Sequence, residues 1–517
     1  MLVSELLESS NFVSLHPLSQ SHDAEISSIT LDSRAVEPGA LFIAIKGNAS
    51  DGHDYIPQAI EAGATAILCQ EFPKDAPENI VFLKSPDVRR GASQLAHIFY
   101  DYPSESLAVL GVTGTNGKTT TTFLIDSLMR AKFGKNGLLG TVWNDEGNGA
   151  RKAELTTPDA ISLHRSLANM VNNRCLGVAL ELSSHGIDQG RTADLTINTA
   201  VFTNLTQDHL DYHGTMENYY QAKKQLFIQL GQQDPQTKPC AIINIDDTYG
   251  KRLSLELKDE FPQLRQITFG FSVDADLRAK DIKQTGKGAE FRLDYNKKSY
   301  LVQTPMIGLF NIRNILAALA SVTAPKLLNM REAIAAIQTA KQVPGRLERV
   351  SQSIQLHAFV DYAHTPDALE NVCQTLQELE PTRLITVFGC GGDRDATKRP
   401  LMAEAASRRS TFCIVTSDNP RTENPISIIK EVESGLIGDH HLSIVDRAKA
   451  IQTAVDLARN GDVILIAGKG HEDYQIFGTE KVHFNDRKHL RDALQKKEAE
   501  LQEALQKKSA PRNDYSD

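Results

Sequence analysis

Short runs of consecutive apolar residues recur along the chain and alternate with stretches that repeat apolar positions every three to four residues. In the middle third they lie at 107–112, 177–182, 198–203 and 241–245; in the last third at 359–361, 384–388, 412–416 and 463–467. Unbroken apolar runs mark strands buried on both faces, and helical periods between them supply the crossovers that parallel strands need. The pattern therefore predicts an α/β fold of doubly wound parallel sheets. A Pro/Ser stretch at 100–106 and the Gln342-Val-Pro-Gly345 segment, which follows a helical pattern over 330–340, interrupt it. These breaks divide the chain into 1–103, 104–341 and 342–495. The remainder, 496–517, is expected to be a helical or disordered tail. Leu490, Leu494, Leu501 and Leu505 share one helical face there, which predicts a surface helix fraying at the terminus.

Length changes this picture little: 517 residues at about 150 per domain allow two to four domains. A net charge of −9 and a pI near 6.0 argue against a broad nucleic-acid footprint, though not against phosphates held by local loops. With mean hydropathy of −0.30 and no apolar run long enough for a membrane span, no span is expected. The acidic start, MLVSELLESSNF, does not read as a secretory signal, so the cytoplasm is the expected compartment. Six scattered cysteines without a C-x-x-C pair disfavour structural zinc and a disulfide framework.

The first candidate chemistry follows the run at 107–112. Gly111-Val-Thr-Gly114-Thr115-Asn116-Gly117-Lys118-Thr119-Thr120 leads from a strand into a helical pattern over 121–131. Glycines let backbone N–H groups approach phosphates, a lysine neutralises their oxygens, and a hydroxyl can ligate Mg²⁺. Val112 stands where the strict motif has its first glycine. No N-K-x-D element accompanies the loop, so a GTPase is disfavoured. A motor, an NTP-driven switch and a synthetase all remain.

Further polar groups cluster at later strand ends. Glu181 closes one run, and in an open parallel sheet it faces the ligand crevice. Thr203-Asn204 closes the next, with His209, Asp211 and His213 just beyond as metal-ligand candidates. Lys223 and Lys224 lie on a helical pattern over 220–227, where a solvated face is the plain reading. The Gly389-Cys-Gly-Gly-Asp-Arg394-Asp segment imitates a dinucleotide fingerprint, but Arg394 replaces its third glycine.

Taken together, these residues resemble the Mur ligase family, the ATP-dependent amino-acid-adding enzymes of peptidoglycan synthesis, and within it the MurE branch. The likeness runs from about residue 28 to 487. It is carried in order by LDSR (31–34), GTNGKTT (114–120), TTPD (156–159), ELSSHG (181–186), TNLTQDHLDYHG (203–214), AKKQLF (222–227), FNIRN (310–314), PGRLE (344–348), DYAHTPD (361–367), GCGGDRD (389–395), DNPR (418–421) and GKGHE (468–472). It implies a UDP-binding amino-terminal domain, a central P-loop-type ATPase domain and a Rossmann-like carboxyl-terminal domain.

It also implies site roles. Leu31, Ser33, Asn48, Ala49 and Ser50 would hold the uridine diphosphate end; Leu155, Thr156, Thr157, Ser183, Gln189 and Arg191 would hold the muramoyl-dipeptide. ATP would meet Gly114 to Thr120 together with Asn311, Arg346, Asp361 and His364. Lys118, Lys223 and His209 would be catalytic. Thr119, Glu181, His209 and Lys223, the last as a CO₂-derived carbamate, would be Mg²⁺ ligands, leaving Lys224 as a surface residue. Arg394, Asp418, Asn419, Pro420, Arg421, Gly468 and Glu472 would receive meso-diaminopimelate. Arg421 suits that substrate physically, because a guanidinium grips a carboxylate in two bonds and lysine has no distal carboxylate. A helix starting at Pro420 is a structural role the same segment could carry in addition. The implied reaction joins meso-2,6-diaminopimelate to the D-Glu γ-carboxylate of UDP-MurNAc-L-Ala-D-Glu through an acyl phosphate. A monomer is expected, with small molecules as its partners.

Overall fold

The computed structural model describes residues 1–17, 23–47, 50–74, 76–350 and 356–509. Asn48 and Ala49 lie outside the described residues, as do 510–517 of the tail. The chain forms two compact units. The first comprises Met1–Lys280, Arg292–Val302 and Arg313–Gln338; the second comprises Asp281–Phe291, Gln303–Ile312 and the chain from Thr339 on.

Two sheets lie in the first unit. The amino-terminal one orders Ser14–Leu15, Val81–Lys84, Ala66–Cys69, Ala40–Ile43 and Ser28–Thr30, all parallel except the first. Its apolar runs fill both faces, with Phe42, Ile67 and Phe82 on one and Leu41, Leu68 and Leu83 on the other. The central sheet has a parallel core in the order Arg265–Gly270, Cys240–Asn244, Thr199–Phe202, Ala108–Thr113, Gly177–Glu181 and Gly137–Leu139. Every residue of Gly177–Glu181 is buried, as its unbroken apolar character requires.

The second unit holds the third sheet. His357–Asp361, Val463–Ala467, Leu384–Phe388, Phe412–Thr416 and His441–Ile444 run parallel in that order, and Glu348–Arg349 pairs antiparallel at one edge. Three of these strands coincide with the apolar runs at 384–388, 412–416 and 463–467. Arg447 and Asp486 form a fully buried, two-bond ion pair (2.8 and 2.7 Å) that ties the last helix, Asp486–Ser509, to the sheet. On that helix Leu490 and Leu494 are buried and Leu501 is exposed, so it docks by its amino-terminal turns.

This architecture decides where chemistry is possible. The carboxyl ends of neighbouring parallel strands share one edge of each sheet, and loops that leave them converge. Thr113, Glu181 and Phe202 end three adjacent strands of the central sheet. Asp361, Ala467, Phe388 and Thr416 end four adjacent strands of the third.

Candidate active site

In the first unit, strand Ala108–Thr113 turns into helix Lys118–Phe133 through the glycine loop. Gly114 has φ +145°, and a Cβ there would run into Thr203 Oγ1. Gly117 has φ +88°, and a Cβ would meet the Asn314 side chain. The neighbouring strand end clamps the loop: Asn116 N donates to Asn204 Oδ1 (2.9 Å), while Asn204 Nδ2 and Thr203 Oγ1 both donate to Asn116 O (3.0 and 2.7 Å). Lys118 Nζ donates to Gly114 O (3.0 Å) and Thr115 O (2.8 Å), which sets an ammonium beside the positive end of the helix. Cation and helix terminus together make a site for anionic oxygens.

Glu181 lies next to this cradle and is fully buried. It accepts hydrogen bonds from Thr119 Oγ1 (3.1 Å), Thr141 N (2.9 Å) and Thr141 Oγ1 (3.0 Å), all neutral donors. A buried carboxylate supported by neutral groups calls for a cation, and the adjacent Thr119 hydroxyl offers a second hard oxygen. The donor chemistry fits Mg²⁺. Among the described residues no three His, Cys, Asp or Glu side chains gather as a metal group.

Helix Met216–Gln232 presents Lys223 to the same loop. Its side chain is buried, and Nζ donates to Gly114 O (2.9 Å) while lying 4.5 Å over the Tyr219 ring. Burial, with Lys118 close by, pulls its pKa well below the ordinary lysine value. A neutral amine is the form that adds CO₂. Lys224 is not the surface residue the sequence suggested. It is buried, and although burial lowers its pKa, ion pairs to Glu256 (2.8 Å) and Glu260 (2.6 Å) raise it overall. Adjacent lysines therefore carry opposite characters.

His209 adopts a left-handed φ of +54° and starts the short helix Leu210–His213. Its ring stands edge-on to His185 at 4.9 Å between centroids, and Nε2 lies 3.5 Å from Asp208. His213 is buried, and its Nε2 pairs with Ser184 Oγ (3.0 Å), so it supports the Ser184–Asp188 turn. Thr156, Thr157, Ser183, Gln189 and Arg191 form a connected group beside Glu181. Thr141 Oγ1 pairs with Thr156 Oγ1 (3.1 Å), and Thr157 Oγ1 donates to Glu181 O (2.8 Å). Ser183 N donates to Thr157 Oγ1 (2.9 Å). Arg191 donates to Thr157 O (2.7 Å) and Gln189 Oε1 (2.6 Å). Ser183 Oγ also caps Ser184–Asp188. Leu155 is half-exposed next to them. Leu31 and Ser33 lie instead just after strand Ser28–Thr30 of the amino-terminal sheet, Ser33 in the short helix Ser33–Ala35, and Ser50 lies in the loop beyond Ala40–Ile43; Ser33 Oγ donates to Gln58 Oε1 (3.0 Å) and Ser50 O accepts from Gly47 N (2.9 Å).

In the second unit Asn311 and Arg346 line one small pocket together with Ile307, Leu347, Arg349 and Phe359. The Arg346 guanidinium lies 4.7 Å over the Tyr362 ring. Asp361 is buried and accepts from Leu347 N (2.5 Å) and Ala363 N (2.7 Å); burial pushes its carboxyl up to about 6 against the pull of Arg346. It thus fixes the backbone around Arg346. His364 is exposed, with Nδ1 against Tyr362 O (2.8 Å).

The remaining predicted residues converge at the ends of the other strands. Arg421, at φ +52°, donates from its guanidinium to Gly392 O (2.6 Å), which joins the DNPR segment to the glycine loop of Arg394. Gly392 has no room for a Cβ against Pro420 O, so those glycines serve close packing. Helix Pro425–Glu433 is capped by Asn424, not begun at Pro420, and DNPR stays a loop. Asn419 Nδ2 donates to Glu472 Oε2 (3.0 Å), Gln475 Nε2 to Asp418 O (2.8 Å), and a Cβ on Gly468 would press on Asp418 Oδ2. Lys469, fully buried, donates to both Asn419 Oδ1 (3.0 Å) and Glu472 Oε2 (2.9 Å).

Comparison with known proteins decides the family. The Mur ligase family catalytic domain matches residues 25–99, the Mur ligase middle domain 112–322, and the Mur ligase glutamate ligase domain 345–470. A UDP-N-acetylmuramoyl-L-alanyl-D-glutamate–2,6-diaminopimelate ligase of Geobacillus thermodenitrificans is 42% identical over 478 residues, covering 92% of this chain and 96% of its own length. The protein of that name from Syntrophomonas wolfei is 43% identical over 482 residues, with the same coverage. The chain belongs to the Mur ligase family.

Solved Mur ligases agree. A 2,6-diaminopimelate ligase of the same full name superposes with a TM-score of 0.67 at 34% identity, covering 92% of this chain and 95% of that one. The MurF ligase of Thermotoga maritima in complex with ADP shares the fold, with a TM-score of 0.59 at 19% identity. Among the described residues no helix is long and apolar enough to cross a membrane. Beside the residues expected of a Mur ligase, the structure adds Thr141 and Asn204 as holders of Glu181 and the glycine loop, and Lys469 as a holder of Asn419 and Glu472. Thr141 was inconspicuous in the sequence, as a threonine after a glycine, and Lys469 stood within GKGHE (468–472), where only Gly468 and Glu472 drew a role.

Proposed function

We propose that this Mur ligase joins meso-2,6-diaminopimelate to the D-Glu γ-carboxylate of UDP-MurNAc-L-Ala-D-Glu at the expense of ATP. The observation that carries the reading is the burial of Lys223 and Glu181 on the rim of one phosphate cradle. A plain nucleotide switch has no use there for a buried lysine whose pKa is pulled down. The three matched domains support a division at 1–103, 104–341 and 342–495 into parts for the UDP-sugar, for ATP and for the amino acid.

A carboxylate resists attack by an amine because its charge repels electron pairs and it lacks a leaving group. Transfer of the γ-phosphoryl group removes both obstacles and leaves ADP and an acyl phosphate. The amine then attacks the carbonyl carbon, a tetrahedral intermediate forms, and phosphate departs as the amide closes. Two anions must meet in the first step, so Lys118 and the N–H groups of the glycine loop offset charge as it shifts. Mg²⁺, when held by Thr119, Glu181, His209 and carbamylated Lys223, supplies further neutralisation of the phosphate oxygens. Thr156, Thr157, Ser183, Gln189 and Arg191 orient the peptide carboxylate. Asn311 and Arg346 meet the nucleotide, and Arg394 with Arg421 meets the carboxylates of the amino acid.

Phosphate release measured with the sugar-dipeptide and either meso-diaminopimelate or L-lysine tests the substrate. Turnover with diaminopimelate is expected to exceed that with lysine by roughly a hundred-fold or more, because lysine leaves Arg421 without its carboxylate. Equal turnover with lysine would contradict the assignment. Release that needs no amine would contradict ligation.

A further inference from the structure

We infer that Lys469 is a positioning residue for the amino-acid substrate: its buried ammonium locks Asn419 and Glu472 into the single arrangement that receives the incoming amine-bearing diacid. The inference rests on the diaminopimelate reading above and deepens it.

The geometry is a closed triangle. Lys469 Nζ donates to Asn419 Oδ1 (3.0 Å) and to Glu472 Oε2 (2.9 Å), and Asn419 Nδ2 donates to the same Glu472 oxygen (3.0 Å). Asn419 Oδ1 also accepts from Ile476 N (3.1 Å). An ammonium has only donors, so it fixes which end of the Asn419 amide faces it and turns the other end to Glu472. Each contact involves a charged partner or an amide held on both ends, and the Lys469 side chain has no exposure. Its two neighbours are packed tightly: a Cβ on Gly468 (φ +116°) would meet Asp418 Oδ2 and one on Gly470 (φ +51°) would meet Tyr362. Only Oε2 of Glu472 is engaged in this triangle. Glu472 therefore presents its other oxygen from a fixed rotamer, and a substrate ammonium meets a carboxylate that needs no reorganisation. Lys469 itself stands behind that carboxylate and acts only through it.

Lys469→Met keeps most of the volume and removes the charge and the donors. The expected result is a rise of about ten-fold or more in KM for meso-diaminopimelate, with KM for ATP and for the sugar-dipeptide within about two-fold of the parent. Exchange of label from ADP into ATP, driven by the sugar-dipeptide without any amine, is expected to persist at the parent rate. Glu472→Gln is expected to raise the same KM, and the double variant to be no worse than the more damaged single one. If Lys469→Met does not fold, Lys469→Gln, which retains one donor group, is read in the same assays with the same expectation in direction. An unchanged KM for diaminopimelate, losses that add in the double variant, or equal rises in all three KM values with loss of exchange would overturn the positioning role. Absence of exchange in the parent enzyme would instead overturn the ligase reading and carry this inference with it.

Discussion

Lys118→Met is expected to lower amide formation on the order of a thousand-fold while shifting the melting temperature by no more than about two degrees. The asymmetry follows from what the ammonium touches. Nζ rests on the carbonyls of Gly114 and Thr115, half-buried at the mouth of the loop, and water can take its place there. The fold loses at most about 1 kcal/mol from such an exchange. Chemistry loses far more, because Lys118 joins the loop to the amino terminus of helix Lys118–Phe133, where its charge meets the phosphate oxygens. Lys118→Arg is not expected to restore the rate, since a planar fork does not reproduce a point charge cupped by two carbonyls at 2.8 and 3.0 Å. Steady-state kinetics alongside thermal melts check both halves.

The second large effect is at Lys223. Lys223→Ala is expected to remove nearly all turnover, with partial return when formate or acetate is added, because a small carboxylate can occupy the space of a carbamate. Lys224→Ala should do the reverse, keeping turnover within about two-fold but lowering the melting temperature through loss of the ion pairs to Glu256 and Glu260. The contrast is informative because the two residues are adjacent on one helix. Burial and the neighbouring Lys118 pull the Lys223 pKa well down, whereas two carboxylates raise that of Lys224 against the opposing effect of burial. Failure of carboxylates to rescue, together with activity unaffected by removal of dissolved CO₂, would contradict the carbamate.

The same pair shows what a linear sequence conceals. AKKQLF contains two identical side chains, and nothing local distinguishes them; Glu256 and Glu260 arrive from the next helix, Thr248–Glu260, and only packing brings them to Lys224. Strands were legible where both faces are buried, since burial writes an unbroken apolar run, as at Leu384–Phe388 and Val463–Ala467. The phosphate-loop helix begins at Lys118, ahead of the periodic stretch, because the buried residues of its first turn and the next are threonines, Thr119 to Thr122, which an apolar pattern does not register. Asn424, not the DNPR proline, caps the following helix, so a proline two residues after an aspartate misled where an asparagine side chain decided. Lys469 stood within GKGHE without a role of its own. Its partners Asn419 and Glu472 belong to two strand-end loops that meet only when the sheet is formed.

The central claim is that ATP activates a carboxylate by phosphorylating it. Sugar-dipeptide carrying ¹⁸O in the D-Glu γ-carboxylate, turned over with ATP and meso-diaminopimelate, tests this directly by mass analysis of the released phosphate. One ¹⁸O atom per phosphate is the predicted result, since the oxygen bridging carbon and phosphorus leaves with phosphorus. Phosphate free of label, with amide still formed, would contradict it.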